Sequence, residues 1–208
     1  MRSTIVTALV VTGLAASGAS PASAAPEPGV ADIGAASFTK AGSQVEVAAQ
    51  GHCSIDGPTS ATAQVISKPG VTFGGGTSSC TKSPDSTSTT SSATGKNFEL
   101  SALVSAGGPR VKLSSFTVTC VGTQTQTNAN WTYSGLSGIP NPPSPVPVGH
   151  VSPLRKPDGT VLANAVFNIQ TLPGDGSIAL TMLRIDFLPP SGITGSVTLG
   201  RTSCTPTP

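Results

Sequence analysis

Charged side chains are scarce in this sequence: Asp, Glu, Lys and Arg supply 10% of its 208 residues, nearly balanced at 9 acidic and 11 basic. A formal net charge of +2 gives no electrostatic basis for holding nucleic acid or an anionic membrane. Aromatics are as thin, at 4%, with one Trp and one Tyr. A glycosidase cleft needs two converging carboxylates and rings to seat the sugar, which this composition hardly furnishes. Histidine occurs twice, as His52 and His150, each without a diagnostic neighbour. There is no G-x-S-x-G elbow and no H-E-x-x-H pair. Abundant serines do not make a triad, which needs nucleophile, base and orienting acid at fixed geometry. The cysteines include no C-x-x-C pair, and the only histidine near one is His52, beside Cys53. No catalytic residue, metal or cofactor is therefore assigned, and no enzyme is expected.

What is present begins with an export signal. Arg2 precedes an apolar run from Ile5 to Ala16, followed by small residues ending Ala22-Ser23-Ala24, an A-x-A cleavage site. The run is too short for a stop-transfer helix, so no membrane span is expected once residues 1–24 are removed. No cysteine lies near that site, which argues against a lipid-modified terminus. Outside the cytoplasm, an even count of cysteines reads as two disulfides. Cys53, Cys80, Cys120 and Cys204 allow three pairings. Cys53–Cys80 with Cys120–Cys204 is favoured, because the first is local and the second ties strand to strand.

The rest is alternation punctuated by turns. Residues 25–40, rich in Pro, Gly and Ala at their start, read as a flexible leader. Val45, Val47 and Ala49 alternate with polar residues as in a half-buried strand. Ala61–Ser67 follows, after the turn Asp56-Gly57-Pro58. Residues 77–95 are dominated by Ser and Thr and read as a polar loop, open to O-linked sugars. Phe98, Leu100, Ala102 and Val104 restart the alternation. Over Arg110–Cys120 the apolar phase slips from odd to even positions, which predicts a β-bulge between Ser114 and Ser115. Thr123–Tyr133 is a polar strand whose Gln and Asn residues suit an edge or a solvent face; Trp131 and Tyr133 share one of its faces, and Asn130-Trp131-Thr132 matches a glycosylation acceptor by chance. Residues 139–153 form a Pro-rich crossover. Val161–Ile169 alternates against Asn164, Asn168 and Gln170. The closing segment, Gly176–Cys204, is a hairpin turning at Pro-Pro-Ser-Gly. Asp56, Asp158 and Asp175 each sit before Gly as turn caps; Arg184 and Asp186 share a strand face as a surface pair. Short strands without helical periodicity predict one all-β domain over 41–208, an antiparallel β-sandwich, Ig-like or related.

The second half resembles the choice-of-anchor P family of exported actinobacterial proteins. The resemblance rests on Phe116-Thr117-Val118-Thr119-Cys120, on Ser134-Gly135-Leu136-Ser137-Gly138 and the Pro-rich passage. It continues in Gly159-Thr160-Val161-Leu162-Ala163-Asn164, SIALTMLRIDFL and GSVTLGRTSC, spanning roughly Leu100 to Cys204. It implies a secreted or surface β-domain without catalytic residues to transfer, often followed by an anchor. Here Thr-Pro-Thr-Pro follows Cys204, without sorting motif or apolar tail.

The expected function is thus an exported, non-enzymatic structural or interaction module at the cell envelope or in the medium. Its location is extracellular or loosely wall-associated, and its partner a protein or a cell-wall glycan. Trp131 and Tyr133 are the candidate contact, since two rings in step could form a flat platform. A secreted inhibitor or ligand-binding protein is the alternative; a hydrolase built around His150 or His52 is a more distant one.

Overall fold

The computed structural model describes residue 27 and residues 29–207; the expected signal peptide lies outside them. Among the described residues, fourteen strands form two antiparallel sheets stacked face to face. In chain order they are β1 (Val30–Lys40), β2 (Ser43–Gln50), β3 (Cys53–Ser54), β4 (Ser60–Ala63), β5 (Ile66–Lys68), β6 (Val71–Phe73) and β7 (Gly76–Lys82). There follow β8 (Ser88–Leu100), β9 (Val111–Thr123), β10 (Thr127–Ser134), β11 (His150–Arg155), β12 (Val161–Thr171), β13 (Ile178–Phe187) and β14 (Ile193–Cys204). The first sheet runs β11-β12-β13-β14-β1-β2, with β3 beside β2 on β1. The second runs β10-β9-β8, whose far edge carries β6-β5 at one end and β7-β4 at the other.

The closing hairpin is as expected: β13 and β14 pair from Ile178↔Cys204 to Asp186↔Ser196, and a 3-10 turn at Pro189–Ser191 joins them. Inward residues from both sheets fill the interior, with Phe73 and Phe98 edge to face at 5.4 Å and Phe38 against Phe187 at 5.2 Å. Burying each such ring contributes on the order of 1.5–3 kcal/mol. Both disulfides have the favoured pairing, Cys53–Cys80 and Cys120–Cys204. Each joins one sheet to the other: β3 to β7, and β9 to β14.

Several expectations are corrected. The leader expected over 25–40 is, from Val30 on, strand β1, paired with β14 on one side and with β2 and β3 on the other. Val30 to Gly34 are all buried, so the strand shows no alternation and its small residues look like those of a tail. The Ser/Thr stretch 77–95 is no loop but the β7–β8 hairpin, with a short turn at residues 83–87. Ser78, Cys80, Thr89, Ser91, Ala93 and Gly95 face inward, where the sheets approach too closely for large side chains. A Cβ on Gly95 would sit 2.4 Å from the Phe116 ring and 2.9 Å from Ile33 of the opposite sheet. Two hydroxyls bond to backbone across the gap, Ser91 Oγ donating to the Ser203 carbonyl at 3.2 Å and Thr202 Oγ1 to the Ser91 carbonyl at 3.1 Å, while the buried Ser78 Oγ has no partner among the described residues.

The phase slip in β9 is real: Leu113 and Phe116 both point inward. It is not a one-sided bulge, however. In β8, Gly95 and Phe98 both point inward at the same level, and Asn97 takes φ 50°. Gly95↔Phe116 and Phe98↔Leu113 therefore keep one register through the slip. The Ala61–Ser67 strand is split into β4 and β5, the polar strand begins at Thr127 after a turn bonded Thr123 N to Gln126 O at 2.8 Å, and the Pro-rich crossover ends where β11 starts. The crossover carries the chain from the edge of the second sheet to the edge of the first.

Candidate functional site

At the β10 edge, the expected contact residues lie in an open groove of about 510 Å³. One wall is β10 from Ala129 to Tyr133; the other is the crossover, through Pro142, Pro143, Ser144 and Val146; Asn168 and Gln170 complete the lining. The lining consists of rings, amides, hydroxyls and prolines, without a charged side chain.

Trp131 and Tyr133 do share a face, as strand alternation requires, and both are half-buried against the core. Their rings stack at 5.7 Å and 21° between planes, and Trp131 stacks in turn on Phe167 of β12 at 6.3 Å and 21°. Trp131 thus stands in a row of rings beside Tyr133 and Phe167, and Trp131 and Tyr133 both line the groove. Asn168 holds this row in place. It sits at φ 55°, a left-handed conformation that Asn tolerates better than other side chains. The turn in the backbone swings its side chain inward, so Asn168 is buried instead of facing solvent as the alternation predicts. Its Oδ1 accepts from Trp131 Nε1 at 3.4 Å and from Gln170 Nε2 at 2.9 Å, while its Nδ2 donates to the Val146 carbonyl at 3.0 Å. The Asn168 carbonyl accepts from Gly149 N at 3.0 Å. One amide thus ties β10, β12 and the crossover together. Sequence reasoning missed Asn168 and Gln170, because an amide in an alternating strand reads as solvent-facing; no sequence signal announces the flip.

The histidines are not brought together. His150, on β11, has Nε2 3.3 Å from the buried Ser152 Oγ and its ring 6.4 Å from Phe167. Among the described residues no carboxylate hydrogen-bonds His150. His52 is exposed on the turn before β3. It lies near the buried Asp32, whose carboxyl is pushed above its ordinary value by burial, with Arg201 (Nε to Oδ2, 3.8 Å) and His52 pulling it down. Among the described residues no group of three or more His, Cys, Asp or Glu side chains is placed to hold a metal ion. Asp158 and Asp175 cap their turns, accepting from Thr160 N at 2.8 Å and Ser177 N at 2.9 Å. Asp56 does not; its carboxylate faces Lys82 Nζ at 3.6 Å. Arg184 and Asp186 form the expected surface pair, at 2.9 Å.

Protein-family models, curated proteins and solved structures were all compared with the chain, and none matches it.

Proposed function

We propose that this protein is an exported, non-enzymatic interaction module of the cell envelope or medium, and that the groove along β10 is its contact face. The observation that carries the reading is the groove itself: a ring row anchored by Asn168, facing a rigid proline wall, with an uncharged lining. Such a lining can hold a neutral partner by shape and hydrogen bonds, and it contains no histidine, carboxylate, lysine or cysteine to activate its hydroxyls. The two disulfides fit an oxidising extracellular compartment. Among the described residues no helix is long and apolar enough to cross a membrane. The resemblance of residues 100–204 to the choice-of-anchor P family agrees with this reading and belongs to it as a proposal. A secreted inhibitor or ligand-binding protein would use the same face.

The test is sedimentation of the oxidised protein with purified cell-wall material before and after removal of wall glycans. Retention by the wall, reduced at least severalfold by Tyr133→Ala, supports an envelope module. A protein that stays in the supernatant and binds no component of spent medium overturns the reading. A hydrolase would instead show turnover of envelope polymers that is lost in His150→Ala.

A further inference from the structure

The β10 edge differs from every other sheet edge among the described residues. Edge strands expose unpaired backbone groups, and proteins guard them with charge, proline, irregular register or brevity. Strand β11 carries Pro153 and Arg155 and a register shift at Leu154/Arg155. Strand β2 carries Glu46 at its middle; β3, β4 and β5 are only two, four and three residues long. Strand β10, TNANWTYS, is eight residues long with no charge, no proline and unbroken register from Thr127↔Gly122 to Ser134↔Ser115.

The ladder fixes which of its backbone groups are free. In β8 the outward-facing residues bond toward β7, as Lys96 N to Gly75 O at 3.1 Å and Ser83 N to Ser88 O at 2.9 Å show. Antiparallel strands alternate their bonding direction residue by residue, so the inward residues of β8 bond to the inward residues of β9. The outward residues of β9 then bond to β10, consistent with Thr123 N donating to Gln126 O at 2.8 Å. Asn128, Asn130 and Thr132 are thereby spent on β9. The N–H and C=O groups of Ala129, Trp131 and Tyr133 point the other way, into the groove, and have no partner among the described residues.

From this we infer that the groove takes an extended, uncharged segment of another polypeptide, which adds to the second sheet as a strand beside β10. The inference rests on the interaction-module reading and names its ligand class. Five residues, Ala129 to Tyr133, offer an edge of ~13 Å at the usual strand rise. Main-chain bonds would supply affinity and the row of rings would select alternate side chains, as in strand addition generally. The uncharged lining disfavours charged residues at the inward positions, since a charge taken from water there finds no counter-charge. A second copy of this chain is a poor occupant. Strand β10 faces β13, so β12 and β11 of the first sheet project past it, and an edge-to-edge copy would bring its own β11 and β12 into the same space.

The test is selection of linear eight-residue peptides displayed on phage against the oxidised, full-length exported protein, with Ala129→Pro as counter-target. Ala129 N–H points to the open edge, so proline there removes a groove donor without removing a bond to β9; thermal unfolding verifies that the variant folds. The expected result is enrichment of uncharged, alternating sequences that bind Ala129→Pro at least tenfold more weakly. Their synthetic versions should slow amide exchange at Ala129, Trp131 and Tyr133 at least tenfold and lose binding when their edge-facing amides are N-methylated. Should Ala129→Pro fail to fold, this N-methyl comparison on the native protein decides alone. No enrichment overturns the inference, as does protection of these amides by soluble wall glycan or by self-association. Wall sedimentation separates the two failures: if native protein and Ala129→Pro sediment equally, strand addition falls and the interaction module stands.

Discussion

Asn168 is the residue on which the groove turns, and it unites a backbone demand with a side-chain demand. Asn168→Gly keeps the left-handed conformation but leaves Trp131 Nε1 and the Val146 carbonyl without their partner. A loss of about 1–2 kcal/mol is expected in urea unfolding. Asn168→Ala should cost about 1 kcal/mol more, because alanine strains at that φ. Equal losses would mean the backbone contributes nothing. Asp32 carries the pH signature. Burial raises its carboxyl above the ordinary 3.8, so the folded chain binds this proton more tightly than the unfolded one. Its contribution therefore favours folding in acid, falls as pH rises from 3.8 to the raised value, and is level above it. Asp32→Asn should thus gain stability relative to the native chain at pH 7 compared with pH 3, in chemical denaturation at both. Asp85 works the opposite way: Ser83 and Thr87 bond its carboxylate and hold it down to about 2, so its contribution is present at neutral pH and disappears only in strong acid.

At the scale of elements, the β7–β8 hairpin shows why hydroxyl-rich strands can belong to a core. Where two sheets come close, a leucine does not fit and a small hydroxyl side chain does, and Ser91 and Thr202 each find a carbonyl opposite. Gly95→Ala tests how close the sheets are: the added methyl meets Phe116 and Ile33, and a loss of about 1–3 kcal/mol is expected in thermal or urea unfolding. The same crowding limited what could be read beforehand. The β13–β14 hairpin and the half-buried strand β2 were legible because apolar and polar residues alternate in them. Strand β1 was not, since its first five residues are buried on both faces and include Ala31, Asp32 and Gly34, none of which announces a strand. The β7–β8 pair was not, because composition counts Ser and Thr as polar wherever they point. Of the groove, Trp131 and Tyr133 were legible as the chain's sole Trp and Tyr in step; the prolines opposite were legible as a crossover but not as a wall. The paired slip at Asn97 and Ser114 was half legible, since only β9 carries apolar residues on both sides of it.

Across the whole molecule the two sheets are joined chiefly by apolar packing, a few hydroxyl bonds and the two disulfides. Cys120–Cys204 spans 84 residues of sequence and Cys53–Cys80 spans 27. On loop entropy alone, removal should cost about 4.5 kcal/mol for the former and about 3.5 kcal/mol for the latter. Paired Cys→Ala variants compared by urea unfolding should preserve that order; a reversal would show that native packing around β3, not loop closure, governs the difference.

The placement of those links also has a mechanical side. Val30 and Cys204 lie at the same end of the antiparallel β1–β14 pair, where Ala31 stands opposite Thr202. A load applied at these two points would, without sulfur, part the pair one rung at a time like a zipper. With Cys204 bonded to Cys120, tension arriving at β14 passes into β9 in the other sheet before the first rung opens. While that bond is intact, opening this end of the β1–β14 pair must also displace β9, and reduction removes the coupling.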